Sequence, residues 1–271
     1  MGNEGRKNGA GLPPVYEVEG LRFAYGETSV FGGLGLSIPE GEVVSFLGGN
    51  GCGKTTLFRL MTKGLKPDGG RVLLRGEDVA HVALRDFSRQ VAIVHQHNAC
   101  PHDLTVRALV AYGRTPHRGY FDPVSLEDEA AVDRALAITD LTDYEDRAMG
   151  SLSGGQRQRA FIAMSIAQET EILFMDEPTT FLDIRYQAQI LELVRRLNRE
   201  RGTTIVMVLH DINQAMHYSD SVLAFSPKGE LLAQGSPQTV VTEALLESVY
   251  GVRLRLFQAE GQTLAGFMQK E

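Results

Sequence analysis

The stretch Val43-Val44-Ser45-Phe46-Leu47, running straight into Gly48-Gly49-Asn50-Gly51-Cys52-Gly53-Lys54-Thr55, decides the fold. Its first five residues, apolar but for one serine, read as a buried strand. The next eight fit G-x-x-x-x-G-K-[ST], and residues 56–62 carry helical spacing. The loop therefore has the preceding strand and following helix that its chemistry requires. Glycines let successive backbone N–H groups converge on phosphate oxygens, and a helix N-terminus adds a positive dipole end. In that setting Lys54 reaches the β- and γ-phosphates of a nucleotide and the Thr55 hydroxyl ligates Mg²⁺. A glycine-rich turn without chemistry is the competing reading, and the strand–loop–helix context weighs against it. Cys52 reads as a small loop residue.

Upstream, residues 15–18, 21–25 and 34–38 are short apolar or alternating runs, as strands require, and Pro39-Glu40-Gly41-Glu42 is turn chemistry. Residues 71–74 and 91–94 add two strands. From about 98 to 168 helical windows replace the strand signal. One of them opens with Ser125-Leu126-Glu127-Asp128, a capping box with Asp in third place. Strands return at 172–175, 204–209 and 221–225, with a helix over 186–201. Strand–helix–strand alternation predicts parallel pairing and an α/β core. The tail, 237–271, reads as a short helix followed by one strand in which Val252, Leu254 and Leu256 alternate with Arg253 and Arg255.

Two further segments carry chemistry. Ile172-Leu173-Phe174-Met175-Asp176-Glu177 is a buried strand ending in two acids, and parallel sheets bind ligands at the carboxyl ends of their strands. Neighbours on extended backbone point in different directions, so Asp176 can approach Mg²⁺ while Glu177 orients or deprotonates an attacking water. Leu152-Ser153-Gly154-Gly155-Gln156 precedes an amphipathic helix running to about Gln168. Its Ser153 hydroxyl and the N–H groups of Gly154 and Gly155 can meet a phosphate; on physics alone Ser153 is equally well an N-cap.

With these segments in this order the sequence resembles the ATP-binding cassette family from about Val15 onward, LSGGQ being that family's signature. The resemblance implies a P-loop NTPase (RecA-like) α/β core with an antiparallel β subdomain and an inserted α-helical subdomain. It divides the chain into a flexible tail (1–13), a nucleotide-binding core with its β subdomain (14–97 and 160–235), a helical signature subdomain (98–159) and a C-terminal helix/strand extension (236–271). It implies ATP and Mg²⁺ as ligands, with residues 48–56, Gly48 to Thr56, around the phosphates and Tyr25 stacking on adenine. Gln96 matches the glutamine that senses Mg²⁺ and water, Asp183 the D-loop aspartate, and His210 the switch histidine at the γ-phosphate. Thr55, Gln96 and Asp176 form the expected Mg²⁺ set, and Glu177, His210 and Gln96 the catalytic set. Two copies are expected to assemble head to tail, so that Ser153, Gly154, Gly155 and Gln156 of one close on the nucleotide of the other. Departures from the family pattern are Gly49, Cys52, Thr55 and His95; none removes a catalytic group.

Within that family, Ala111-Tyr112-Gly113-Arg114-Thr115-Pro116-His117-Arg118-Gly119 and Asp176-Glu177-Pro178-Thr179-Thr180-Phe181-Leu182-Asp183-Ile184 look like ATPase subunits of iron(III)-siderophore importers, with haem and cobalamin relatives. Such subunits ride on transmembrane permease subunits at the cytoplasmic face of a bacterial membrane, fed by an extracytoplasmic binding protein. Composition is compatible: 271 residues, 27 basic against 34 acidic, net charge −7. That balance excludes nucleic acid as the partner. No apolar run reaches the ~18–20 residues of a membrane span, and two cysteines make no disulfide framework. His95, His97, Cys100 and His102 tempt one toward a metal site, but polar residues commonly follow this glutamine without binding metal. A soluble, non-transport cassette ATPase would call for coiled-coil insertions or basic patches, which the sequence lacks.

Overall fold

The computed structural model describes residues 14–119 and 122–267; the expected flexible tail, 1–13, lies outside the described residues. β1 (Pro14–Tyr25) and β2 (Thr28–Pro39) form an antiparallel ribbon turned at Gly26-Glu27. The two short strands expected at 15–18 and 21–25 are one strand, interrupted by an irregularity at Glu19-Gly20 that shifts its pairing. β3 (Val43–Leu47) leads through the glycine loop into α1 (Lys54–Met61), which starts two residues before the sequence signal. β4 (Gly69–Leu74) and β5 (Glu77–Asp78) complete a four-stranded sheet in the order β2-β1-β4-β5.

Next come α2 (Leu84–Gln90), β6 (Val91–Val94), α3 (Val106–Ala111), a 3-10 turn over Tyr112–His117, α4 (Leu126–Ile138) and α5 (Gly154–Ala167). β7 (Ile172–Asp176), α6 (Ile184–Arg201), β8 (Thr204–Val208), α7 (Ile212–Tyr218) and β9 (Ser221–Phe225) restore the α/β alternation. β10 (Leu231–Gly235) adds an antiparallel edge. The central sheet runs β10-β9-β3-β8-β7-β6, with β9, β3, β8, β7 and β6 mutually parallel. The tail differs from its reading. After α8 (Pro237–Val240) and α9 (Glu243–Tyr250), β11 (Leu254–Ala259) pairs with β12 (Gln262–Phe267) in a hairpin, not a lone strand.

The central strands read as near-continuous apolar runs because both sheet faces are covered. Val44 and Phe46 of β3, Ile172 and Phe174 of β7, and Val206 and Val208 of β8 pack with the antiparallel sheet and α1. Their alternates, Val43, Leu47, Leu173, Met175, Ile205 and Met207, pack with α3 to α6. Each fully buried side chain of this size stabilises by ~1.5–3 kcal/mol. Strand ends, where loops meet solvent, are left for chemistry.

The helical part is pinned by a buried ion pair. Arg114 Nε donates to Asp128 Oδ1 at 2.9 Å, and Nη1 donates to the Ala167 carbonyl at 2.8 Å and to Glu169 at 3.0 Å. Asp128 also closes the expected capping box with Ser125 at the head of α4. Burial alone would raise the Asp128 pKa, but hydrogen bonds from Arg114 and Ser125 outweigh it and bring it down to about 2. Replacing Arg114 with Met strands this carboxylate, and breaking such a pair costs about 3–5 kcal/mol. A depressed carboxylate pKa gives support that is present above about pH 4 and lost as pH falls through about 2. Urea unfolding at pH 7 and near pH 2 checks both: the Arg114→Met deficit should be large at the first and shrink at the second.

Candidate active site

The phosphate loop is set by its last glycine. Gly53 takes φ +99° as the N-cap of α1, and a Cβ there would lie 2.8 Å from both the Phe31 ring and Val30 Cγ1, so no larger residue fits. Asn50 and Gly51 form the exposed crest, Cys52 is buried, and Thr56 lies half-buried in the first helical turn. The Lys54 ammonium is buried and donates to the carbonyls of Gly48 at 2.7 Å and Gly49 at 3.0 Å. Thr55 Oγ1 stands 3.5 Å from Asp176 Oδ1, so the loop and the end of β7 meet as expected.

Asp176 is buried and, among the described residues, forms no ion pair. Burial first, and then the charge of Glu177, push its pKa up to about 6, against the pull of Arg59, the Thr55 hydroxyl and His210. A buried carboxylate short of positive charge, next to a hydroxyl oxygen, suits a divalent cation.

Glu177 turns away from Asp176 because its backbone leaves the strand at φ +50°, an uncommon conformation for a residue with a Cβ. Its carboxylate gathers donors from three separate segments. Gln96, just beyond β6, donates through Nε2 to Oε2; Thr180 Oγ1 donates to the same oxygen at 3.1 Å; His210 Nε2, just beyond β8, lies 2.6 Å from Oε1. Thr180 carries no role in the sequence reading. Its signal is the spacing from Glu177, which a turn closes with the Thr180 N–H on the Glu177 carbonyl at 3.2 Å. Asp211 caps α7 behind His210 by accepting from the Gln214 N–H.

The remaining expected residues stand apart. Ser153 caps α5, its Oγ accepting from the Gln156 N–H at 3.3 Å while Gln156 Oε1 accepts from the Ser153 N–H at 3.0 Å. The cap uses oxygen lone pairs and leaves the hydroxyl proton free to donate, so the N-cap and phosphate readings are compatible. Ser153 and Gly154 are exposed, whereas Gly155 lies against the Tyr186 ring, where a Cβ would fall 2.5 Å from ring carbons. Among the described residues no hydrogen bond joins these four to the phosphate loop. Asp183 caps α6 by accepting from the Tyr186 N–H at 3.1 Å. Tyr25 is 51% exposed, with its ring edge-on to Phe23 at 4.9 Å.

The histidines near Gln96 serve separate neighbours. His95 packs edge-on to Phe58, where burial, followed by the charge of Arg59, lowers its pKa; His97 lies against Phe181. Cys100 packs on the helical core. Among the described residues no group of three or more His, Cys, Asp or Glu is disposed to hold a metal ion.

The ABC transporter family profile matches residues 31–180. The chain is 45% identical over 240 residues to the probable siderophore transport system ATP-binding protein YusV of Bacillus subtilis (strain 168), covering 89% of this chain and 87% of the relative. It is 45% identical over 235 residues to the ferric enterobactin transport ATP-binding protein FepC of Escherichia coli (strain K12), covering 87% and 86%. Among solved structures, one described as an inward-facing conformation of a putative metal-chelate type ABC transporter superposes with TM-score 0.81 at 27% identity, covering 94% of this chain and 97% of that one. On sequence, fold and the order of its motifs, this chain belongs to the ABC transporter family.

Proposed function

We propose that the chain is the ATP-hydrolysing subunit of an importer that takes up an iron(III)-siderophore-type chelate through a membrane permease. The observation that carries the hydrolytic part is the convergence of Gln96, Thr180 and His210 on the Glu177 carboxylate, beside the Thr55–Asp176 pair. A carboxylate held from three sides points in one direction, which is what activation of a water for attack on a γ-phosphate requires. Lys54 transfers its hydrogen bonds from the loop carbonyls to the β- and γ-phosphates. Thr55, Asp176 and Gln96 are the residues that would hold Mg²⁺. When bound, that ion neutralises charge between the phosphates. His210 positions Glu177 and the γ-phosphate, and Tyr25 offers its ring to adenine.

The exposed Ser153-Gly154 helix start makes no hydrogen bond to its own phosphate loop among the described residues and is assigned to a second copy, in a head-to-tail dimer with two ATP between the subunits. Closure of that dimer drives the permease, and hydrolysis resets it. The divisions 14–97 with 160–235, 98–159 and 236–271 serve as core, helical arm and extension. Among the described residues no helix is long and apolar enough to cross a membrane. In this proposal the subunit works at the membrane periphery, on the cytoplasmic face, beneath its permease and an extracytoplasmic binding protein.

The siderophore assignment follows the relatives' cargo. Its test is the reconstituted complex with a binding protein loaded in turn with a ferric siderophore, haem or cobalamin. Stimulation of ATP hydrolysis by the ferric siderophore is expected; stimulation by haem or cobalamin alone would replace the cargo.

A further inference from the structure

The C-terminal extension ends its second helix against the phosphate loop. α9 is fixed at both ends: Thr242 Oγ1 accepts from the Leu245 N–H at 3.1 Å, and Gly251 closes the helix at φ +70°. Its own Leu246 and Val249 are buried. β11 holds the same helix through Glu243, which accepts from the Leu256 N–H at 3.0 Å and pairs with Arg255 at 2.8 Å. A Cβ built on Gly49 would lie 3.7 Å from the Val249 carbonyl oxygen, so the end of α9 touches the loop itself.

The next residue, Tyr250, has a buried hydroxyl with no hydrogen-bond partner among the described residues. Burial pushes this phenol up to about 12. Cys52 and Asp211 add to the rise, and the Gly48 N–H opposes it without completing a hydrogen bond. An unpaired buried hydroxyl costs stability, and it survives where another state uses it. The loop's chemistry supplies such a state. The Gly48 and Gly49 carbonyls are served by Lys54, and a phosphate that takes the ammonium leaves them without their donor. Tyr250 carries an uncommitted hydroxyl proton beside the Gly48 backbone, and the residue before it adjoins Gly49.

We propose that Tyr250 is a positioning residue for the phosphate loop, its hydroxyl bonding the Gly48–Gly49 backbone when the nucleotide takes Lys54. The extension thereby steadies the loaded loop in preference to the empty one. This rests on the ATP-binding reading given above.

Tyr250→Phe in the full chain keeps the ring and deletes only the hydroxyl. The nucleotide-free Tm stays level or rises, because an unpaired buried group has been removed. KM for ATP rises about 3–10-fold, the loss of one hydrogen bond, while kcat at saturating ATP moves less. The Tm gain produced by a fixed concentration of ATP shrinks in step. A KM within about twofold of wild type overturns the proposal. So does a lowered nucleotide-free Tm with an undiminished ATP-induced gain, the pattern of a residue that merely packs. Wild-type protein that shows no ATP-induced gain at all overturns the ATP-binding reading itself.

Discussion

Glu177→Gln is expected to lower steady-state ATP hydrolysis by about 10²–10⁴-fold while ATP binding persists. The substitution conserves volume, and the amide can follow the same turn at φ +50°. It does not touch Lys54 or Thr55, the residues proposed to meet the phosphates. What is lost is the negative oxygen able to take a proton from water. One of the donors now converging on Glu177, from Gln96, Thr180 or His210, also meets an amide N–H₂ in place of an oxygen. Phosphate release measured beside nucleotide binding separates the two effects. Unchanged binding with turnover near the wild-type rate would remove Glu177 from the chemistry.

Asp176→Asn is expected to act in opposite directions on activity and stability. Hydrolysis in the presence of Mg²⁺ falls at least about 100-fold, since the charge proposed to hold the ion beside the reacting phosphates has gone. The nucleotide-free protein becomes more stable at pH 7, on the order of 1–3 kcal/mol. The sign follows from the pKa, raised to about 6 by burial and then by Glu177. The folded state holds this proton more tightly than the unfolded chain does. The stability from protonation is thus complete below about pH 4 and is lost as pH rises through about 6. Asn resembles the protonated form at every pH, so its advantage should appear at pH 7 and vanish near pH 4. Urea midpoints at the two pH values decide it. A variant no more stable than wild type at pH 7 would mean that Asp176 is not burdened by its charge.

Much of this was legible in the sequence because phosphate chemistry imposes fixed spacings. The loop from Gly48 to Thr55, the acids closing β7 and the signature stretch each carry several constrained residues in a row. Gln96 and His210 are single residues, given meaning only by the family resemblance, and the structure brings both to Glu177. Weaker signals were missed for physical reasons. β10 lies half-exposed at a sheet edge and ends in glycine, so its pattern is thin. α2 and α7 have seven residues each, too few for periodicity to speak. The Glu260-Gly261 turn between β11 and β12, with Gly261 at φ +79°, was the available cue for the hairpin. Tyr250 could not be found from sequence, because its meaning is an unmade contact to a loop two hundred residues earlier.

The double covering of the central sheet has one more consequence. Where a sheet faces water on one side, sliding a strand by a single residue throws apolar side chains into solvent and is corrected at once. Here a slip of β3 would exchange one greasy face for the other, and hydrophobicity would scarcely object. The reading frame of these strands must be written by polar contacts. The Val43 N–H on Asp220 Oδ2 at 2.9 Å, the Asp220 N–H on the Val43 carbonyl at 2.8 Å, and the buried Ser45–Ser219 hydroxyl pair at 2.6 Å do that writing. A misframed β3 would still be a good strand, but it would deliver Lys54 to the wrong place, so these few polar contacts carry the alignment on which nucleotide binding depends.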